Sequence, residues 1–331
     1  LGRGIDVDPG LPEGQRRVAL AEWIADPGNV LTWRSIVNRV WQYHFGRGLV
    51  ETANDFGRMG VAPSHPELLD WLAVWFRDQG QSLKSLHRLI VTSGTYRQAS
   101  TVPNPETHPG VARDSDNRLL WRMNRRRLDA EAIRDGVLLV SGRLVDADGG
   151  PALPLEMREN ADNLANKVNP PSFALRRFRP EQEFERTVYM PIVRVGSQPA
   201  SARLREIFDF TPPAQFSGKR PQTVVPTQSL YLLNDGFLRA RAADTARLVL
   251  AAVAERGPRL ERLWLRVLNR PITAEEMSAA SGFVDRLNPL LTDSKEPEQD
   301  AWTELCHGLL STNEFRSEEH TSELQSRQYL V

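Results

Sequence analysis

The sequence contains a single cysteine, Cys306, among 331 residues. One cysteine cannot form an internal disulfide bond, and it cannot supply a cysteine-rich zinc site or the two thiols of a C-x-x-C-H haem attachment. Composition therefore excludes these three classes of site. No other cofactor signature takes their place, so the sequence predicts that these residues bind no cofactor of their own.

Charge of one sign and long apolar runs are also missing. The 42 Lys and Arg residues balance the 42 Asp and Glu residues, so the chain lacks the net positive charge with which proteins capture nucleic acids or anionic membranes. No run of eighteen apolar residues occurs, and the sequence therefore predicts no membrane span. We do not expect a nucleic-acid partner, whereas a protein or polysaccharide partner remains open.

The common catalytic motifs are absent as well: there is no G-x-S-x-G elbow, P-loop, dinucleotide fingerprint or kinase signature. The glycine-rich segment HFGRGLVE, residues 44–51, follows a helical pattern instead of opening one, which is typical of a helix C-terminus and not of a phosphate loop. Cys306 and His307 are adjacent, and neighbouring residues on a helix do not face each other, so they do not form a preformed catalytic dyad. The sequence identifies no enzyme class.

What the sequence does contain is a succession of amphipathic helical patterns. Capping-box spacings are found at Ser64 with Glu67 and at Thr273 with Glu276, Thr32 is a candidate N-cap, and Ser82 opens a further helix. The patterns predict helices over residues 16–26, 31–43, 66–78, 82–90, 117–140, 259–268, 273–287 and 298–313, and one or two long helices over 227–253 with a break at 234–236. They indicate a mainly α fold, a multi-helix globular domain with a small irregular, partly β insertion.

Composition along the chain suggests its organisation. Residues 1–14 are rich in Gly, Pro and Asp and are interpreted as a linker from a missing upstream region. Residues 15–315 form the mainly helical domain, and the irregular insertion spans about 149–226. Within it, residues 187–195 carry the one clear β-type pattern.

The last residues, 316–331, are of a different kind. Residues 316–326 read RSEEHTSELQS, which is also the one-frame translation of a common short-read sequencing adapter. We therefore expect residues 316–331 not to be native and the biological chain to be interrupted near Phe315. The alternative is a genuine polar tail, which matching genomic codons on long reads would establish.

One candidate site lies early in the chain. His44 and His65 flank a loop that contains Glu51 and Asp55, and these four side chains form a candidate polar cluster. If they converge, they are suited to general acid–base chemistry or to a hard metal ion. The alternative is that they are dispersed structural residues, each hydrogen-bonded within a helical core. No histidine occurs in a zinc-binding spacing.

A second candidate site lies in the most basic segment, residues 118–143. Arg122, Arg125, Arg126 and Arg127 form a candidate anion patch for a sulfated polysaccharide or an acidic partner. The alternative is a solvated helix face, on which Arg127 and Glu131 pair at i, i+4. The segment lacks interleaved aromatic residues for base stacking, which argues again against nucleic acid.

Six phrases, taken together and in order, resemble one known family. They are NRVWQYHFGRGLVETANDFG (38–57), SHPELLDWLA (64–73), SLKSLHRLIVTSGTYRQAS (82–100), NRLLWRMNRRRLDAEAIRD (117–135), VPTQSLYLLN (225–234) and ELCHGLLSTNEF (304–315). The chain resembles the planctomycete-type domain of unknown function that forms the C-terminal part of multidomain proteins with cytochrome-c-like modules. The resemblance implies an exported protein, periplasmic or at the cell surface, in which any haem belongs to the missing upstream module. It supplies no catalytic residues.

Two functions follow as hypotheses. The first is a non-catalytic interaction or scaffolding module of such an exported, cytochrome-linked protein. The alternative is a carbohydrate-active enzyme or carbohydrate-binding unit, with a site formed by loops 51–63 and 149–180 beside the arginine-rich segment. A deep pocket lined by carboxylates or histidines would favour the second hypothesis.

Overall fold

A computed structural model describes residues 5, 7–102, 104, 106–145, 183–190, 192 and 203–318. Within these ranges the helices are α1 Glu13–Ala25, α2 Val30–Phe45, α3 Pro66–Asp78, α4 Leu83–Val91, α5 Pro109–Arg113, α6 Ala130–Val140, α7 Arg203–Ile207, α8 Pro226–Asn234, α9 Gly236–Ala252, α10 Arg256–Val267, α11 Ala274–Leu287 and α12 Pro297–Leu310. Strands β1 Arg126–Arg127 and β2 Ser317–Glu318 form the one sheet of the described residues. The predicted mainly α fold with a small β component is confirmed.

The chain divides into two compact units. Of the described residues, the first unit contains those up to Arg126 together with 217–219, and the second contains those of 127–216 and 220–318. Neither unit is therefore one continuous stretch of chain. The boundaries at residues 14 and 315 stay predictions.

The core of the first unit is built where α2 packs against α3 and α4. Apolar residues recur every three or four positions on each helix, so burying one stripe of each removes a large apolar area from water. The fully buried residues of this core include Val37, Leu49, Leu69, Leu72, Leu86 and Ile90. Gly46 ends α2 in the left-handed conformation, φ 77°, and its N–H donates to the carbonyl of Gln42. The prediction of a helix C-terminus at this glycine-rich segment is confirmed.

The chain after α2 folds back onto that helix through a buried amide. Asn38 donates from Nδ2 to the carbonyl oxygen of Val50 at 3.0 Å and accepts from the Val50 N–H at 2.8 Å. Gly48 lies beneath this pair, and a Cβ at that position would be 2.6 Å from the Val50 oxygen. The side-chain amide of Asn38 thus satisfies the buried N–H and C=O of Val50, which lies outside the helices and strands.

A short distant piece of chain completes the first unit. Gln42 donates from Nε2 to the carbonyl oxygen of Gly218 at 2.9 Å. A Cβ on Gly218 would be 2.9 Å from the side-chain amide of Asn54, so glycine permits this close approach. Residues 217–219 are therefore fitted into the first unit although they lie 91 or more positions after Arg126 in the sequence.

The second unit is a helical assembly with two apolar clusters. The larger joins α6, α9, α10, α11 and α12, and Leu260, Leu263, Ala301, Trp302, Cys306 and Leu310 lie at its centre. The smaller joins α6 to α7, α8 and the start of α9 around Ile133, Leu204, Phe208, Leu232 and Leu238. Burial raises the pKa of the Cys306 thiol far above its usual range, which fits the prediction of a small buried apolar residue.

Two predicted caps are confirmed and two are wrong. Ser82 accepts from the Ser85 N–H, and Thr273 and Glu276 form a reciprocal capping box at the start of α11. Ser64 does not cap α3, because His65 occupies the N-cap position of that helix, and the Ser64 hydroxyl donates to the carbonyl of Leu49 at 3.3 Å. Thr32 does not cap α2, because that helix begins at Val30 and the Thr32 hydroxyl donates to the carbonyl of Ile24. The N-cap positions of α2 and α3 are Asn29 and His65, so each predicted cap lies at the wrong position along its helix.

Two predicted elements are also corrected. The helix expected over 117–140 is limited to α6, because Asn117 and Leu120 adopt positive φ angles of 52° and 55° in the preceding turns. The β-type pattern at 187–195 begins as a 3-10 turn over Thr187–Tyr189. Thr187 donates to the Asp135 carboxylate from its N–H at 2.8 Å and from its hydroxyl at 2.6 Å. These two hydrogen bonds hold the turn in place. Residues 191 and 193–195 lie outside the described residues.

Acid is expected to weaken the start of α11. Hydrogen bonds from Arg270 lower the pKa of Glu276 to about 2, from an ordinary value of 4.5. A carboxyl group whose pKa is lower in the folded than in the unfolded state stabilises the fold at pH values above its unfolded-state pKa. This stabilisation is lost as the pH falls toward the folded-state pKa. The loss between pH 5.5 and pH 3 is expected to be about 1 kcal/mol, a figure reduced for the partial exposure of this side chain.

Urea unfolding at the two pH values measures this loss. Glu276→Gln removes the titrating group, so its stability should fall less over the same interval than that of the wild-type chain. Glu298→Gln, which alters an exposed carboxylate paired with Arg259, is the matched control and should behave like the wild type. Equal pH dependence in all three proteins would contradict the role of Glu276.

Candidate functional site

The structure brings His44 of the predicted polar cluster to a second histidine. Its Nε2 lies 2.7 Å from Nδ1 of His87, which projects from α4. The ring of Tyr96 meets His44 edge-on, with ring centroids 5.5 Å apart. One imidazole must donate and the other must accept in this hydrogen bond, so the pair requires at least one neutral ring. Sequence spacing gave no signal for His87, because 43 residues separate it from His44.

The other three members of the cluster contact their own neighbours. Glu51 pairs with Arg47 at 3.4 Å. Asp55 accepts from the Gly57 N–H at 2.8 Å. His65 Nδ1 lies 2.9 Å from the Ser64 hydroxyl. The four side chains are thus not joined by direct contacts among themselves, and no group of three or more His, Cys, Asp or Glu within the described ranges is arranged to hold a metal ion.

A small cavity lies beside this loop in the first unit. Glu51, Val61 and Ser64 line it from one side and Asp116, Asn117 and Arg118 from another. Its volume is about 30 Å³, which is room for about one water molecule. The cavity is too small to enclose a sugar ring. The other half of the hypothetical carbohydrate site, loop 149–180, lies outside the described residues.

Three members of the predicted arginine patch belong to the first unit. The guanidinium of Arg122 lies over the ring of Trp121, 5.2 Å from its centroid. Arg126 donates to the carbonyl of Tyr43 at the end of α2. Arg125 is exposed. These residues are placed by turns and by β1, not by a helix face.

The fourth member, Arg127, belongs to the second unit and is buried there. Its side chain is 8% exposed and pairs with Asp209 at 2.8 Å. It also donates to the carbonyl oxygen of Thr223 at 3.1 Å. The predicted i, i+4 pair with Glu131 is wrong, because β1 is not helical and Glu131 instead accepts from Arg220 at 2.8 Å. Arg127 thus ties together two distant segments of chain.

A further arginine holds the short segment 183–187. Arg134, on α6, is almost fully buried, and burial lowers the pKa of its guanidinium. It donates to the carbonyl oxygen of Glu185 at 2.9 Å and to the Thr187 hydroxyl at 3.1 Å. Burying this cation is tolerated because backbone oxygens and a nearby carboxylate, Asp135, compensate it.

The densest charge cluster of the described residues was not anticipated from the sequence. Asp244 on α9 accepts hydrogen bonds from Arg143, Arg241 and Arg247, and we call these four residues the Asp244 cluster. Burial opposes ionisation of Asp244, but the bonds from Arg143 and Arg247 outweigh it and hold the pKa of that carboxyl below its usual range. The spacing of Arg241, Asp244 and Arg247 at i, i+3, i+6 was visible in the sequence, whereas Arg143, 101 residues away, was not.

These features define a class of protein: a mainly helical chain in which arginines such as Arg127 and Arg134 join distant segments. The family model of PSD1, described as "Protein of unknown function (DUF1553)", matches residues 16–284, and the chain belongs to this family. Comparisons with curated proteins and with solved structures found no match. No helix of the described residues is both long and apolar enough to cross a membrane.

Proposed function

We propose that this chain is a non-catalytic interaction module and that α1 is part of its binding surface. The observation that carries the proposal is the exposure of α1. None of its residues is buried, yet Val18, Leu20 and Ile24 are 57, 44 and 45% exposed. Leu20 and Ile24 share one face of this uncovered helix, and exposed apolar residues that share a face are typical of surfaces that bind another polypeptide.

Leu20 and Ile24 are four residues apart and therefore neighbours on the helix surface. A partner that covered both side chains would remove further apolar area from water. Each half-exposed side chain would then contribute about 1 kcal/mol to the free energy of binding. The resemblance to domains that follow cytochrome-c-like modules in exported planctomycete proteins supports a specific partner. In this proposal α1 packs against such a module outside the cytoplasm, and any haem is held by that module.

Site-specific photo-cross-linking in the full-length protein, in the cells that produce it, tests the proposal. A photoreactive residue in place of Leu20 or Ile24 is expected to form a discrete product that contains a haem-bearing peptide. Leu230 on α8 is 58% exposed and provides the matched control position, from which this product should be absent. Products of equal yield from Leu230, or no product from α1, would contradict the proposal.

The double variant Leu20→Glu/Ile24→Glu supplies a second prediction for the same surface. With the photoreactive residue at Arg17, an exposed position three residues before Leu20 on the same helix face, the yield of the cross-linked product should fall at least tenfold, since two apolar contacts are replaced by charges that binding would bury. The free energy of unfolding should change by less than about 0.5 kcal/mol, because both positions are half-exposed. A large loss of stability would show instead that α1 has a structural role within this chain.

A further inference from the structure

The Asp244 cluster has more positive than negative charge. Asp244 Oδ1 accepts from Arg143 Nη2 at 2.7 Å and from Arg247 Nη1 at 2.8 Å. Its Oδ2 accepts from Arg143 Nε and Arg241 Nε, each at 2.9 Å. These four bonds occupy the acceptor positions of the carboxylate. Among the described residues, one negative charge is thus surrounded by three guanidinium groups, and two positive charges are left unbalanced.

The remaining contacts of these arginines are with neutral groups. Arg143 and Arg241 lie over the ring of Phe184, at 6.0 and 5.0 Å from its centroid, and Arg241 also lies over Phe237. Asp244 is the one carboxylate of the described residues within ion-pair distance of the three arginines. The aromatic contacts restrict the guanidinium planes and leave the positive charge in place.

The cluster presents this charge outward. The side chain of Asp244 is 7% exposed, whereas those of Arg143 and Arg247 are 46% and 56% exposed. Arg143 Nη1 and Arg247 Nε and Nη2 make no hydrogen bond within the described residues. The buried carboxylate therefore positions the guanidinium groups from the protein side, and N–H donors of Arg143 and Arg247 remain available on the solvent side.

The scaffold holds the arginines close together. Arg241 and Arg247 are fixed by α9, and Arg143 follows a tight turn at Gly142, whose φ is 69°. A Cβ on Gly142 would be 2.8 Å from Leu248 Cδ1, so the turn is pressed against α9. The donors are consequently arranged before any ligand arrives, which lowers the entropy cost of binding.

We propose that the Asp244 cluster is a binding site for a tetrahedral oxyanion, phosphate or sulfate. Such an anion has several acceptor oxygens that match the planar donor pattern of guanidinium groups. A dianion would also balance the two positive charges that Asp244 leaves. In this site Asp244 is a positioning residue, whereas Arg143 and Arg247 contact the anion.

Isothermal titration calorimetry of the 331-residue chain with inorganic phosphate, inorganic sulfate and acetate, at constant ionic strength, tests the proposal. We expect saturable binding of one phosphate or sulfate per chain, and the relative affinities of these two anions identify the preferred one. Arg247→Gln and, separately, Arg143→Gln should weaken binding about tenfold, the effect of losing one charged hydrogen bond. Arg239→Gln is the matched control, because Arg239 is an exposed arginine of the same helix that pairs with Glu304.

Three outcomes would overturn the proposal. The first is the absence of saturable phosphate or sulfate binding to the wild-type chain. The second is that Arg247→Gln and Arg143→Gln, shown to be folded by circular dichroism, bind as tightly as Arg239→Gln. The third is that acetate binds as tightly as the tetrahedral anions. The result is independent of the α1 surface, since the cross-linking variants leave the Asp244 cluster unchanged.

Discussion

Asp244→Asn is expected to lower the free energy of unfolding by about 2–3 kcal/mol. The substitution keeps the size of the side chain but removes the charge that three guanidinium groups share, so their mutual repulsion is no longer compensated. We expect a smaller loss of stability than for breaking a fully buried ion pair, because the side chains of Arg143 and Arg247 are partly exposed to solvent. Urea unfolding at neutral pH measures it.

The control for this prediction is Asp285→Asn. Asp285 also pairs with an arginine, Arg256, but both side chains are largely exposed, and the expected change is below about 0.5 kcal/mol. If the two variants lost the same stability, the Asp244 cluster would be no more than a set of surface ion pairs. Added salt should reduce the loss in Asp244→Asn by screening the three arginines.

Asn38→Leu is expected to cost about 3 kcal/mol, because it leaves a buried N–H and a buried C=O of Val50 without partners. Leucine has the same branched arrangement of side-chain heavy atoms as asparagine but bulkier methyl groups, so no cavity forms and the cost arises from the lost hydrogen bonds and from tighter packing. Since the chain has two compact units, a single unfolding midpoint can mix their contributions. Hydrogen exchange at the Val50 amide is the more local measurement.

Protection of the Val50 amide should fall about a hundredfold in Asn38→Leu, while amides in the second unit keep their wild-type protection. Asn234→Leu is the matched control, since Asn234 is exposed at the end of α8 and bonds only within its own helix turn. Unchanged exchange at Val50 would mean that its N–H has another partner in the variant. That result would contradict the conclusion that the Asn38 side chain holds this loop.

The parts of the fold that the sequence predicted are those set by local chemistry. Helices α3 and α11 have strong apolar periodicity, and the Thr273 capping box depends only on residues three positions apart, so both could be found by inspection. The same local reasoning failed at Ser64 and Thr32, where a hydroxyl bonds to a distant carbonyl instead of its own helix. A capping residue and a tertiary hydrogen-bond donor have the same sequence signature.

The candidate site shows the same limit more clearly. The sequence predicts Arg127 in an anion patch or, as the alternative, on a solvated helix face, but its side chain is buried against Asp209, 82 residues further along the chain. His87 and Arg143 were not singled out, because their partners are 43 and 101 residues away. A sequence shows that an arginine carries a charge, but tertiary packing determines which group neutralises that charge.

The discontinuity of the first unit affects the order in which the protein can fold during synthesis. Residues 217–219 belong to that unit, and the carbonyl of Gly218 is the acceptor for Gln42. A ribosome that has just made Arg126 must still add more than ninety residues before this piece exists, a delay of about 5–20 s at ordinary elongation rates. During that interval the helices α2–α4 are present without it, and the Gln42 amide lacks the carbonyl of Gly218 to which it donates in the folded protein. Final closure of the N-terminal unit is therefore timed by translation of the C-terminal half.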